Sequence, residues 1–265
     1  MMTTLPDALD PLDFALRVES DYACLIPWMT AELDGEPGLG GKLLYAGELD
    51  EAGRALVVAA NIGGAATLAA TADGAAQRQA NREGVVDFLV TSLDEALRIL
   101  KNQLRKHETV AVCVAASPEA VAAEMVERGV RPEMLVGGRG QGSGNREQLS
   151  AAFERFLAQG ARLLEQPREQ GIQSMLVWSV ATAPAQWLPR VDGLVAAMLP
   201  ENAWAERRWL RLAPRYLGRR SQGVRLLRCK EEMAFRIIAE LREQTEAGEI
   251  GVPLDVRLLE SGRAN

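Results

Sequence analysis

The chain has little of the two side chains that most often build metal and nucleophilic sites. Its 265 residues include one histidine, His107, and three cysteines, Cys24, Cys113 and Cys229. A single histidine excludes zinc centres that need two, and the odd, widely spaced cysteines form neither a disulfide framework nor a Cys-x-x-Cys site. No metal site is therefore expected. His107 lies in a polar break before an apolar run, which favours a solvated loop residue over a catalytic one.

Long apolar runs and an excess of positive charge are also missing. No run approaches the ~20 apolar residues of a membrane-spanning helix. The first ten residues are acidic and lack the basic and apolar regions of a secretory signal. The formal net charge is −6, which does not favour nucleic-acid binding. We expect a cytoplasmic protein with neither membrane nor nucleic acid as a partner.

The chain does contain a clear alternation of apolar runs and helix-forming segments. The run Ala55–Ala60 predicts a buried strand, Gly63 and Gly64 a turn, and residues 65–79 a helix. Further strands are predicted at 85–90, 109–116 and 134–136. This pattern predicts an α/β fold, a mostly parallel, doubly wound, Rossmann-like sheet with helices on both faces.

Helix boundaries are marked by three local signals. Ser92 and Glu95 form a capping-box sequence, Ser117 precedes Pro118 at a helix start, and Gly129 fits a left-handed helix end. Each signal lies where the alternation of apolar runs requires a helix to begin or end.

The remaining segments complete a three-part organisation. Residues 1–41 are predicted to be an extension that packs on the main body, 42–200 the Rossmann-like domain, and 201–265 a small C-terminal α/β extension of it. Beyond residue 145 the expected elements are helices at 146–166, 185–198, 204–212 (ended by Pro214) and 230–245, with strands at 174–180, 224–227 and 252–258.

Several segments, taken in order, resemble the central Rossmann-type domain of urocanase (urocanate hydratase). They are Leu56–Thr71, Val86–Phe88, Thr91–Leu97 and Arg128–Glu133. The resemblance implies that this part of the chain binds NAD, which acts in that family as an electrophile toward the imidazole of urocanate. It assigns Gly63, Gly64 and Ala65 to the cofactor site.

The chain also departs from the urocanase pattern. Asn61–Gly64 is shorter than the family's glycine-rich loop, and the acidic residue expected to meet the adenosine ribose has no counterpart between Gly74 and Gly84. A Thr-Asp-Gln-Thr-Ser-Ala-His motif is replaced by Val136–Gly140, and the core domain with its reactive cysteine is not visible. These departures predict a loss of hydratase chemistry and leave the catalytic residues unassigned.

Two glycine segments are the candidate ligand sites. The N–H groups of Gly63, Gly64 and Ala65 could face a phosphate together with a helix dipole, or the glycines could simply allow close packing. Gly137 and Gly138 open a second glycine-rich segment, which could be either an anion nest or a linker.

Two further features near the C-terminus have alternative interpretations. Cys229 lies between Arg228 and Lys230, which could lower its thiol pKa, although a buried structural role is favoured. The arginine-rich stretch from Arg207 to Arg220 fits a solvated helix face, a partner surface or a contact between copies.

Three hypotheses for the function follow. The leading one is a stand-alone urocanase-like Rossmann protein without hydratase activity that binds a nucleotide or another small anionic ligand. The second is a reduced NAD-dependent lyase acting on a urocanate-like compound. The third is a non-catalytic interaction or assembly module, with a surface for homo-oligomer contacts or for a partner on the arginine-rich stretch.

Overall fold

The computed structural model describes residues 11–31, 36–135, 151–164, 173–218 and 223–259. The chain divides into two compact units, one of Ser20–Arg168 and one of Met1–Glu19 together with Glu169–Asn265. These divisions differ from the predicted boundaries, because the segment 169–200 groups with the C-terminal residues. No helix in the described ranges is long and apolar enough to cross a membrane.

The first part of the chain alternates short strands and helices. In chain order these elements are α1 Pro11–Leu25, a 3-10 turn Ile26–Trp28, β1 Thr30–Ala31, β2 Pro37–Gly38, β3 Leu43–Glu48, α2 Glu51–Gly63, β4 Ala66–Ala70, α3 Gly74–Glu83, β5 Phe88–Val90, α4 Leu93–Lys106, β6 Val110–Val114, α5 Pro118–Glu127, β7 Met134–Leu135, α6 Ala151–Ala158 and β8 Arg162–Leu163.

Six of these strands form one sheet in the order β5-β6-β4-β3-β7-β8, and every pair in it is parallel. Strands β4 and β6 are buried along their whole length, as expected for a parallel sheet covered by helices. The predicted Rossmann-like α/β fold is confirmed.

The assignment of the first strand was wrong. Residues 55–60 belong to helix α2, and strand β4 lies within the segment predicted as the following helix. Every residue of α2 from Gly53 to Gly63 is buried. A helix that is buried on all sides lacks the 3.6-residue periodicity that distinguishes a helix from a buried strand, so the short apolar run 55–60 fits either element.

The predicted caps are confirmed. The Ser92 hydroxyl accepts a hydrogen bond from the Glu95 N–H at 3.3 Å, and that of Ser117 accepts one from the Ala120 N–H at 3.2 Å. Pro118 opens α5, and Gly129 follows the helix in the left-handed conformation at φ +66°. These residues fix where α4 begins and where α5 begins and ends.

The other unit contains a separate antiparallel sheet. Its elements are β9 Gln173–Val180, α7 Pro184–Met198, α8 Trp204–Leu217, β10 Val224–Lys230, α9 Glu231–Glu246 and β11 Leu254–Leu259. Strand β9 lies between β10 and β11 and is antiparallel to both. This sheet is separate from the parallel one, so these elements form a small α/β lobe.

Two helix ends differ from prediction in this half of the chain. The helix predicted at 146–166 is α6 within the described residues, and it ends before strand β8. Pro214 does not end α8, which continues to Leu217. Proline removes one N–H donor from a helix, and the burial of Ala213 and Leu217 on either side of it favours continuation.

A buried polar network joins the sheet to α7 in this unit. The Trp178 indole donates to Asp192 Oδ1 at 3.1 Å, and Arg225 Nε lies 2.9 Å from Asp192 Oδ2. Burial raises the pKa of the Asp192 carboxyl, while Arg225 and the indole act in the opposite direction. Asp192 thus links β9, β10 and α7.

Candidate functional site

The topology of the parallel sheet defines the place where a ligand is expected. From β3 the chain passes to its neighbour β4 on one side, and from β7 it passes to β8 on the other. In open α/β sheets, ligands bind outside the carboxyl ends of the strands where the connections diverge in this way. The candidate site is therefore the carboxyl edge of β3 and β7.

The first turn at this edge runs from β3 into α2. The Asp50 carboxylate accepts the Gly53 N–H at 2.8 Å, and Glu48 Oε1 accepts the Leu49 N–H at 3.2 Å. A Cβ atom on Gly53 would lie 1.9 Å from the Glu48 carbonyl oxygen. The N–H groups of this turn are bound by its own carboxylates. Glycine is required at position 53 because the Glu48 carbonyl oxygen lies so close to it.

The charge of this turn is opposite to that of a phosphate-binding loop. The side chains of Glu48, Asp50 and Glu51 bring three carboxylates to the start of α2. In dinucleotide-binding folds, the N–H groups at this helix start bind the pyrophosphate. Here a carboxylate already binds the Gly53 N–H, and the local negative charge repels an anion.

The other helices that start at this edge are capped in the same way. The Asp73 carboxylate accepts the Ala75 N–H at 2.8 Å, and Ser92 and Ser117 cap α4 and α5. Each cap satisfies a donor that would otherwise be available to a ligand. Of the helix starts from α2 to α5, none presents an uncapped terminus to an anion.

Residues 22–138 match the family model of the urocanase Rossmann-like domain. The urocanase match begins within α1 and ends just after β7, so it covers less than half of the chain. It confirms the resemblance drawn from the sequence, which was limited to this central part. The urocanase family uses NAD, and a Rossmann-like domain is consistent with that cofactor.

Within the urocanase-like domain, Gly63, Gly64 and Ala65 lie at the end of a helix and not at its start. Gly64 caps α2 at φ +93°, with its N–H directed to the carbonyls of Ala60 and Asn61. The Ala65 N–H donates to the Ala60 carbonyl at 3.0 Å, and all three residues are buried. The prediction that they contact a pyrophosphate therefore has no helix N-terminus to support it.

Gly63 has a packing role that matches the alternative interpretation from the sequence. Its carbonyl accepts the Leu39 N–H at 2.8 Å. A Cβ atom on Gly63 would lie 2.8 Å from Leu39 Cδ1 and 3.2 Å from Met29 Cε. The glycine allows the segment around Leu39 to lie against the end of α2.

The other predicted ligand residues, Gly137 and Gly138, lie outside the described residues. One residue, Val136, separates them in the sequence from β7, which is one of the two strands that flank the candidate site. Their role in binding an anion stays a prediction.

Tyr45 on β3 and Cys113 on β6 are reactive side chains of the parallel sheet, and both are buried. The Tyr45 hydroxyl donates to the Pro118 carbonyl at 2.6 Å, and burial together with Glu119 and Glu48 raises the phenol pKa. Burial raises the pKa of the Cys113 thiol to about 11. Both groups are therefore neutral at physiological pH, and neither is an activated nucleophile.

Cys229 does not have the lowered pKa that its basic neighbours suggested. Burial, with a smaller contribution from Glu206, raises the pKa of its thiol to about 11. The neighbouring Arg228 instead forms an ion pair with the buried Glu19 carboxylate, with Nε 2.7 Å from Oε1. The structural interpretation of Cys229 is the one that fits.

The arginine-rich stretch is largely structural within its described part. The Arg207 guanidinium donates to the carbonyls of Leu199, Pro200 and Glu201, and Arg208 is buried. The Trp209 indole donates to the Leu226 carbonyl at 2.7 Å and so is not a stacking platform for bases. Arg211 and Arg215 are exposed, whereas Arg219 and Arg220 lie outside the described residues.

His107 ends α4 in the left-handed conformation at φ +58° and is exposed. A Cβ atom on Gly41 would lie 3.0 Å from the His107 ring, so the imidazole lies against that glycine. No group of three or more His, Cys, Asp or Glu side chains in the described ranges could hold a metal ion.

The sequence prediction does not include the acidic first turn, because it puts the first strand of the sheet at 55–60 and the observed strand β3 is Leu43–Glu48. Its signals were present: Leu43–Tyr45 is a short apolar run, and Asp50 is a favourable N-cap before the Ala-rich segment. Gly64 is also a common helix C-cap residue. Read together, these signals place α2 at 51–63 and the first turn at 47–53.

Proposed function

We propose that this protein is a urocanase-like Rossmann protein that neither hydrates urocanate nor holds NAD at its first βα turn. The observation that supports the proposal is the set of carboxylates at the start of α2, where Asp50 binds the Gly53 N–H. A dinucleotide pyrophosphate at this place would not find the free backbone N–H donors that it needs. It would also be repelled by the negative charge of the carboxylates.

The first test removes the charge and keeps the hydrogen bonds. In the triple variant Glu48→Gln, Asp50→Ser and Glu51→Gln, the serine still caps α2 and the amides can accept the same N–H groups. We expect calorimetric titration with NAD to show no binding to the wild type and measurable binding to the variant, an increase of at least about tenfold in affinity.

A matched control neutralises three acids away from this site. Glu231, Glu232 and Glu240 lie on α9, and their replacement by glutamine changes the net charge by the same amount. The control should bind NAD no better than the wild type. Micromolar binding of NAD by the wild type would contradict the proposal, and an equal gain in both variants would show that the effect is not local.

We propose an anionic ligand at only one place at the carboxyl edge of the sheet. The described part of the carboxyl edge has capped helix starts and an acidic first turn, so it disfavours anions. The segment after β7, with Gly137 and Gly138, is where such a ligand would bind. Replacing Arg139 in this segment by glutamine should weaken the binding of a nucleotide identified in the purified protein.

The match to the urocanase domain favours a second candidate, a NAD-dependent lyase acting on a urocanate-like compound. This candidate predicts that the protein, supplied with NAD, consumes urocanate. The ultraviolet absorbance of urocanate should then fall in proportion to protein concentration. Our proposal predicts a constant absorbance.

A further inference from the structure

A cavity of about 290 Å³ lies between α4 and the end of α5, and we call it the α4–α5 groove. Its size is close to the lower end of small-molecule sites, roughly 300 Å³. Two apolar side chains line it, Leu97, which is buried, and Val130, which is half-buried. The other lining residues are charged and exposed: Asp94, Arg98, Lys101 and Arg128. The groove therefore combines apolar contact surface with a charged rim.

Three of the charged residues form a row along α4. Asp94, Arg98 and Lys101 follow one another at intervals of four and three residues. This spacing brings their side chains to the same side of a helix. Leu97, which lies beside this row, belongs to the hydrophobic core that α4 shares with the sheet. The position of the row is therefore fixed by the packing of the helix.

Arg128 is held on the opposite side of the groove by two carboxylates. Its guanidinium forms ion pairs with Asp94 of α4 and Glu124 of α5. The hydrogen bond from Arg128 lowers the pKa of the Asp94 carboxyl, and the charges of Arg98 and Lys101 act in the same direction. Asp94 is therefore ionised at neutral pH, and Arg128 satisfies its charge.

Arg98 and Lys101 are the cations of the groove that are available to a ligand. Within the part of the chain that the structure describes, neither side chain forms an ion pair or a hydrogen bond. A guanidinium binds two phosphate oxygens at once, and a lysine ammonium adds a point charge. Two such cations match one terminal phosphate group, which carries a charge of about −1.5 to −2 at neutral pH.

We propose that the α4–α5 groove binds a small molecule with a terminal phosphate group and an apolar body. Arg98 and Lys101 bind the phosphate, and the apolar body contacts Leu97 and Val130. The site uses side chains on the surface of α4 and no helix N-terminus. A terminal phosphate also distinguishes this ligand from NAD, whose two phosphates are both internal, so the site is independent of the cofactor question at the first turn.

Phenyl phosphate is the probe for this site, because it has both a terminal phosphate and an apolar ring. It is titrated into the isotope-labelled full chain, and the amide NMR shifts report both affinity and location. We expect a dissociation constant of about 1 mM or lower, with shift changes centred on residues 94–101 and 128–130. Inorganic phosphate lacks the ring and should bind about tenfold more weakly. Phenol should cause no shift changes at these residues.

Removal of the two available cations tests the phosphate contact. The double variant Arg98→Gln with Lys101→Gln should raise the dissociation constant of phenyl phosphate at least about tenfold. The matched control, Arg105→Gln with Lys106→Gln, removes the same charge from the last turn of α4, outside the groove. It should leave the dissociation constant nearly unchanged. The amide spectrum of each variant verifies that it is folded.

Neutralising Asp94 should have the opposite effect. In Asp94→Asn the amide oxygen can still accept a hydrogen bond from Arg128, but the charge that repels the phosphate is gone. We expect the dissociation constant to fall about threefold.

Three results would overturn the proposal. One is a wild type without shift changes in the groove at roughly 10 mM phenyl phosphate. Another is an equal weakening of binding by the two double variants, which would show a general effect of charge. The third is tighter binding of an oligo-aspartate peptide than of phenyl phosphate, because the groove would then fit an acidic protein and not a small molecule.

Discussion

At the scale of single residues, three glycines in the described part of the urocanase-like domain serve its own packing. The absence of a side chain allows the Glu48 carbonyl to lie close to Gly53 and the Leu39 side chain to lie close to Gly63. Gly64 adopts a left-handed conformation. In a dinucleotide-binding turn, glycines have the same freedom but use it to approach a pyrophosphate. A glycine pattern alone does not distinguish these two uses.

Replacing Gly53 by alanine should therefore destabilise the fold strongly. The new Cβ would meet a backbone oxygen at 1.9 Å, and a backbone atom cannot rotate away as a side-chain end can. We expect a loss of about 3 kcal/mol or more in the free energy of unfolding, measured by urea denaturation.

Gly193→Ala is the matched control. Gly193 lies inside α7, and nothing lies within 4 Å of the Cβ that it would gain. This variant should be up to about 1 kcal/mol more stable than the wild type. If Gly53→Ala were as harmless as Gly193→Ala, the close approach of Glu48 to α2 would be disproved.

The buried thiols predict a loss of stability at alkaline pH. Burial raises the pKa of Cys113 and of Cys229 from the ordinary 9.0 to about 11. Between these values the unfolded chain loses thiol protons that the folded protein keeps. The free energy of unfolding should therefore fall as pH rises from 9 to 11, by up to about 3 kcal/mol per thiol.

Urea denaturation between pH 8 and pH 11 tests this expected loss of stability. The wild type is compared with a double variant, Cys113→Ala with Cys229→Ala. The variant should show a flatter pH dependence. A thiol reagent at pH 8 should label neither cysteine in the folded protein and both after unfolding. Fast labelling of folded Cys229 would revive the interpretation of a low-pKa thiol.

At the scale of elements, sequence signals were reliable for α4, a helix with one apolar and one polar face. Helix α4 is flanked by a serine cap and exposes charged residues, so both its bounds and its buried face were predictable. Helix α2 is buried on all sides, and its continuous run of apolar residues has the same pattern as a buried strand. Because residues 55–60 were assigned to a strand, the predicted first βα turn and the predicted site lie about fifteen residues too late in the chain.

The buried link between β9, β10 and α7 makes a second testable element. Asp192→Ala would remove the carboxylate from Arg225 and the acceptor from the Trp178 indole. We expect a loss of about 3 kcal/mol in the free energy of unfolding, because a guanidinium whose side chain is only 13% exposed would lose its counter-charge.

The double variant Asp192→Leu with Arg225→Leu separates charge from packing. It leaves no buried charge, so it should be more stable than Asp192→Ala alone. Equal losses in the two variants, both measured by urea denaturation, would show that the ion pair has no special role in joining these elements.

At the scale of the whole molecule, one compact unit contains the urocanase-like domain and the other an antiparallel sheet. The parallel α/β class was predictable because strands and helices alternate at regular spacing through residue 135. The antiparallel sheet was not, since isolated apolar runs carry no information about which strands pair or in which direction.

We propose that the first turn of this Rossmann-like scaffold is filled by its own carboxylates and not by a dinucleotide. The most direct measurement is mass spectrometry of the supernatant after heat denaturation of the purified protein. We predict that no stoichiometric NAD is released. Release of one NAD per chain by the wild type, and in the same amount by the Arg139→Gln variant, would contradict this, because the turn of Glu48, Asp50 and Gly53 would then have to accept the pyrophosphate.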